Sequence, residues 1–127
     1  MDRSSRLARL VGARLRPNLP ECRVRTWAAQ IIVALDALHR QGLIHRDLNP
    51  GNILVHSLND ESEVERIVIG YQCIVEGVDS VASSAAIRAL YAAPEVSAVA
   101  HQPLGPAADW WSLGAIIYEL LTAKVFT

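Results

Sequence analysis

His45-Arg46-Asp47-Leu48-Asn49-Pro50-Gly51-Asn52-Ile53-Leu54 is the most informative segment of this chain. It has the form H-R-D-L-x-x-x-N, with five fixed residue types in a window of eight, and an apolar Ile53-Leu54-Val55 run follows it. Asp47 offers a carboxylate that can accept a proton, and Asn52 offers a neutral amide oxygen five residues later. Moving outward, Ala93-Pro94-Glu95 comes next in chain order, and then Asp109-Trp110-Trp111-Ser112-Leu113-Gly114 at the head of a long apolar segment.

Taken in that order, these segments resemble the C-terminal lobe of a serine/threonine protein kinase, from about Arg6 to Lys124. The Asp-Trp-Trp-Ser-Leu-Gly wording is similar to the group holding protein kinases A and C and the ribosomal S6 kinases. Within that group, Arg46-Asp47-Leu48-Asn49-Pro50 looks most like the divergent ribosomal protein S6 kinase delta-1-like branch. The fold expected is mainly α with a small β-hairpin, a truncated kinase C-lobe, and residues 1–127 read as one partial kinase domain without N-lobe or last helices.

The resemblance implies ATP and Mg²⁺ as ligands. It implies Asp47 as the base that takes a hydroxyl proton and Asn52 as a metal ligand. Each retained residue also has a plainer reading. Asp47 can be an acid that organises its own loop, Arg46 a partner for acidic groups in the activation segment, and His45 a packed structural histidine. Asp109 is expected to hydrogen-bond the catalytic-loop backbone. Glu95 would pair with an arginine of a later helix in the family, and here with water or another arginine such as Arg88. His39, His56 and His101 show no metal-ligand spacing.

Several parts of a kinase are not found. The chain has one lysine, Lys124, so none is available for the ATP phosphates, and Asn49 stands where a kinase has its catalytic-loop lysine. The glycines, at 12, 42, 51, 70, 77, 105 and 114, form no G-x-G-x-x-G. Tyr71-Gln72-Cys73 falls where D-F-G belongs, placing Tyr71 at the position of the Mg²⁺-binding Asp, and a phenol is a poor ligand for that hard cation. The expectation is a chain that does not phosphorylate at a measurable rate. Two readings remain beside the kinase one: a pseudokinase module that binds a partner, and a fragment with no independent function.

Composition agrees with an incomplete lobe. Of 127 residues, 51% are hydrophobic, and a mean hydropathy of +0.21 is apolar for a domain of this size. A net charge of −1 gives no reason to expect nucleic acid as a partner. Seven of the twelve basic residues, Arg3, Arg6, Arg9, Arg14, Arg16, Arg23 and Arg25, lie within the first 25 positions. They read as a solvated helix face and loop, or else as an Arg-rich presequence. Cys22 and Cys73 are far apart, which suits free thiols in a reduced, cytoplasmic protein. The apolar run Trp110 to Leu121 is too short to span a bilayer.

Periodicity places the elements. Residues 4 to 11 read as a short helix with Leu7, Leu10 and Val11 on one face. Pro20-Glu21 opens a longer helix with the stripe Val24, Trp27, Ala28, Ile31, Leu35 and Leu38, and Gly42 stops it. Ile53-Leu54-Val55 and Ile67-Val68-Ile69 read as a hairpin around an acidic loop with Asn59-Asp60 as its turn. Residues 70 to 92 have the place of an activation segment. The last helix, from about Pro106 to Ala123, is apolar on most sides, with Trp110, Leu113, Ile117, Leu120 and Leu121 on one face. The face containing Ile116 and Leu120 is expected to bind a protein partner or to self-associate.

Overall fold

The computed structural model describes residues 4–6, 19–57, 65–70, 89–98 and 105–126. In chain order these form strand β1 (Ser4–Arg6), helix α1 (Glu21–Arg40), a 3-10 turn (Pro50–Asn52), strands β2 (Ile53–Ser57) and β3 (Glu65–Ile69), the short helix α2 (Pro94–Ala98) and helix α3 (Ala107–Thr122). Helix dominates, and a small antiparallel sheet of order β1-β2-β3 lies beside it.

The long stripe of α1 forms the centre of the core. Val24, Trp27, Ile31 and Leu35 recur at steps of three and four and are all buried. Burial of side chains this size stabilises by roughly 1.5–3 kcal/mol each. Against them pack Leu48, Ile53, Val55 and Ile67 from the loop and sheet, with Leu113, Ile116 and Leu120 from α3. The end of α1 is set by Gly42, whose φ of 78° is left-handed and free of strain only for glycine. Its N–H donates to the His39 carbonyl at 3.0 Å, and the Leu43 N–H donates to the Leu38 carbonyl at 3.2 Å, closing a Schellman motif that turns the chain toward His45.

The hairpin forms as its alternation implies. Ile53 pairs with Ile69 and Val55 with Ile67, so these pairs share the core face, while Val68 on the other face is 44% exposed. β3 is tied to α1 by side chains. The two oxygens of Glu65 accept from Arg23 Nε and Nη2, each at 2.8 Å, and Trp27 Nε1 donates to one of them at 3.2 Å. Gln30 closes the edge twice, donating to the Glu65 carbonyl at 2.9 Å and accepting from the Ile67 N–H at 2.8 Å. Arg23, lying over the Trp27 ring, is therefore not part of a merely solvated face. Its hydrogen bond to Glu65 raises its guanidinium above the ordinary value, against the opposing effect of burial.

Two expectations are corrected. Ser4–Arg6 is a strand rather than the start of a helix, with Ser4 opposite His56 and Arg6 opposite Leu54. Its conformation follows the pairing with β2, so tertiary pairing overrides local periodicity. Residues 7–11 lie outside the described residues, as do the Asn59-Asp60 turn, Tyr71-Gln72-Cys73, Arg88 and His101. The face of α3 is also different. Ile116 is 0% exposed and Leu120 3%, because that side packs in the core, so it is not an association surface. Trp110, Trp111, Tyr118 and Leu121 are the exposed large side chains of α3. Periodicity does not reveal this facing, because Asp109, Ser112 and Glu119 are polar yet buried on the core side.

Glu65→Ala should destabilise the chain by about 2 kcal/mol in urea denaturation. It strips partners from Trp27 and Arg23 and weakens a charge-assisted pair that keeps some solvent contact. An unchanged midpoint would show that the hairpin does not depend on this carboxylate.

Candidate active-site loop

Between α1 and β2 the chain makes few regular backbone bonds, and side chains hold it instead. Asp109, in the first turn of α3 and only 1% exposed, is the main anchor. Its Oδ2 accepts from the His45 N–H at 2.9 Å and its Oδ1 from the Arg46 N–H at 3.0 Å. His39 Nε2, a donor toward a carboxylate, sits 2.7 Å from the same Oδ2, and the His39 ring meets Trp110 edge-on at 5.3 Å. A carboxylate at a helix start also gains from the helix dipole. These bonds hold Arg46 at φ 74°, a left-handed conformation that costs a non-glycine residue roughly 1–2 kcal/mol.

His45 is buried behind the loop. Its Nε2 donates to the Gly70 carbonyl at 2.8 Å, and its Nδ1 accepts from the Asp47 N–H at 3.2 Å, which assigns the Nε2–H tautomer. The Gly70 N–H in turn donates to the Asn52 carbonyl at 2.7 Å. The loop and the end of β3 are thus stitched together at the residue just before Tyr71, which itself lies outside the described residues.

Asp47 is half-buried, and two amides converge on it. Asn49 Nδ2 donates to the Asp47 carbonyl at 2.9 Å and to Asp47 Oδ1 at 3.2 Å, and Asn52 Nδ2 donates to the same carbonyl. Asn52 is 2% exposed, and its Oδ1 is buried with no hydrogen-bond partner among the described residues. A buried amide oxygen left without a donor fits a hard cation, which prefers such oxygens. Asp47 and Asn52 are brought together; no cluster of three or more His, Cys, Asp or Glu that could hold a metal occurs among the described residues.

The protein kinase domain model matches residues 3–127. This chain belongs to the protein kinase domain family. Ribosomal protein S6 kinase delta-1 of Homo sapiens is 46% identical over 106 residues, covering 84% of this chain and 9% of that protein. Ribosomal protein S6 kinase-like 1 of Mus musculus is 40% identical over 124 residues, 98% of this chain and 21% of that protein. The cAMP-dependent protein kinase catalytic subunit of Schizosaccharomyces pombe is 34% identical over 109 residues, 82% of this chain and 19% of that protein. The chain therefore spans a small part of the length of these relatives.

Within this kinase-family chain, Ala93 is buried while Pro94 and Glu95 are exposed at the start of α2. Sequence reasoning missed the contact that fastens this segment. The Tyr91 hydroxyl donates to Glu119 Oε1 at 2.5 Å, and Ser112 Oγ donates to the Tyr91 carbonyl at 2.7 Å. The signal was available in a Glu set within the apolar stretch Leu113 to Leu121, since a buried acid needs a partner. Burial, and then the bond to Glu119, pushes the Tyr91 phenol well above its ordinary value of 10.0.

A phenol raised on folding stabilises below the unfolded value and ceases to do so as pH rises through the folded one. Stability should thus fall between about pH 10 and pH 12, by up to roughly 1.4 kcal/mol per pH unit from this group. Urea unfolding of wild type and Tyr91→Phe checks it: the variant should start less stable at pH 8 and lose less above pH 10. Parallel alkaline losses in the two proteins would remove Tyr91 as the cause.

Proposed function

We propose that this chain is the catalytic-loop portion of a serine/threonine kinase-like domain that keeps a base and one metal arm but does not itself transfer phosphate at a measurable rate, acting as a pseudokinase module. The observation that carries the kinase part is the buried, partnerless Asn52 Oδ1 beside Asp47. In the family reaction, the γ-phosphoryl group of ATP passes to a protein hydroxyl. Asp47 would accept the hydroxyl proton, and Asn52 would lend its oxygen to Mg²⁺. Bound Mg²⁺ would supply neutralisation of phosphate charge, which the neutral Asn49 does not. His45, Asp109 and Asn49 hold Asp47 in place.

The inactive part of the reading rests on charge. Phosphoryl transfer is catalysed almost wholly by positioning and charge neutralisation. Asn49, neutral and 0% exposed, stands where the family lysine would meet the γ-phosphate, and Tyr71 stands for the second metal-binding acid. Each lost electrostatic contact costs about 10²–10³ in rate. A cytoplasmic setting is part of this reading, supported by the exposed free thiol of Cys22. No helix among the described residues is long and apolar enough to cross a membrane.

One observation favours the partner-binding role over a fragment without function. Trp111 and Tyr118 each meet Phe126 edge-on, at 6.1 and 5.4 Å, and the three rings are 41% to 43% exposed. Clustered exposed aromatics form an association surface.

Isothermal titration with ATP and Mg²⁺ should therefore give no low-micromolar binding, and such binding by the wild type would sink the inactive reading. Tyr71→Asp combined with Asn49→Lys should still not yield turnover, because these 127 residues hold no glycine-rich loop and no lysine for the α- and β-phosphates; turnover by that variant would show that those parts are not needed. In sedimentation velocity at tens of micromolar, the wild type should associate and Tyr118→Glu should not. A wild-type monomer would leave self-association through this surface without support.

A further inference from the structure

Asn49 has its side chain turned into the loop. It is 0% exposed, and its polar atoms are all engaged. Nδ2 donates to the Asp47 carbonyl at 2.9 Å and to Asp47 Oδ1 at 3.2 Å, while Oδ1 accepts from the Gly51 N–H at 2.8 Å. An asparagine has two N–H donors and one carbonyl oxygen, so its group is used on both ends. The Oδ1 bond also caps the 3-10 turn that carries Asn52, with Asn49 as its N-cap at φ −153° and ψ 166°.

We propose that Asn49 is a positioning residue that clamps the Asp47 carboxylate to the 3-10 turn bearing Asn52, so that base and metal arm are held as one unit by a neutral amide. One end of the amide fixes the acid and the other fixes the start of the turn. Asn52 Nδ2 completes the unit from the far side by donating to the same Asp47 carbonyl. A lysine cannot perform this role. It has donors only, so the buried Gly51 N–H would lose its acceptor, and its ammonium would have to be buried or leave the site. The substitution is thus a rebuilding of the loop, and Asn49→Lys should weaken the fold rather than repair the site.

This inference deepens the kinase-like reading above, but its test uses stability and spectroscopy of the 127-residue chain and no nucleotide, so either can fail alone. Asn49→Ser keeps an oxygen to cap Gly51 and breaks the link to the acid. Asn49→Asp keeps the cap and sets a second carboxylate against the first. In a double-mutant cycle of Asn49→Ser with Asp47→Ala, the effects on the unfolding constant should be non-additive by about tenfold, the scale of one charge-assisted hydrogen bond. Asn49→Asp should raise the unfolding constant at least about tenfold at pH 7, because it replaces the donor to the Asp47 carboxylate by a second carboxylate.

Should these variants not fold, the wild type and Asp47→Ala decide by ¹⁵N NMR. The Asn49 side-chain amide protons should exchange slowly in the wild type, and their resonances should move when Asp47 is truncated, while the Gly51 amide stays protected. Additivity within about twofold, an Asn49→Asp variant as stable as wild type at pH 7, or Asn49 amide signals indifferent to Asp47 would each overturn the proposal.

Discussion

The carboxylate of Asp109 is the interaction on which the loop depends. It stands at the start of α3, buried, and takes the backbone N–H groups of His45 and Arg46 together with His39 Nε2. One side chain thereby joins the end of α1, the head of α3 and the connection between them. The left-handed Arg46 is held by this anchor, and the chain direction it sets delivers Asp47 to Asn49 and Asn52. A buried charge costs several kcal/mol unless fully bonded, so the site and the fold share the same requirement. Loss of the anchor would be felt in packing and in loop geometry together.

A second set of contacts fixes the site from the sheet side. His45 reaches Gly70, and Gly70 reaches back to Asn52, so the end of β3 cannot shift without the loop. β3 is itself carried by the Glu65, Arg23, Trp27 and Gln30 network on α1. The result is an arrangement in which the Asn49 and Asn52 side-chain amides, neutral themselves, hold Asp47 from two sides.

How much of this could be read from residues alone depended on periodicity and polarity. Val24, Trp27, Ile31 and Leu35 form an unbroken apolar stripe, so α1 and its buried face were legible. Gly42 marked its end, and the short Ile- and Val-rich runs at 53–55 and 67–69 marked the hairpin. α3 was legible as a helix but not in its facing, because Asp109, Ser112 and Glu119 are buried through partners distant in sequence. β1 was missed because three residues take their conformation from β2 rather than from their own pattern. In the candidate site, the spacing of Asp47 and Asn52 was plain from the motif. The inward turn of Asn49 and the bond of Tyr91 to Glu119 were not, since each depends on burial that no single-residue property encodes.

Native-state hydrogen exchange of the His45 and Arg46 amides tests the central claim most directly. If Asp109 anchors the loop, both amides should open only with global unfolding, with a free energy matching that from denaturant. In Asp109→Asn, their protection should fall further than that of the α1 amides. Exchange of both amides in the wild type close to the rate of an unprotected loop would contradict the account, because the loop would then open without its anchor.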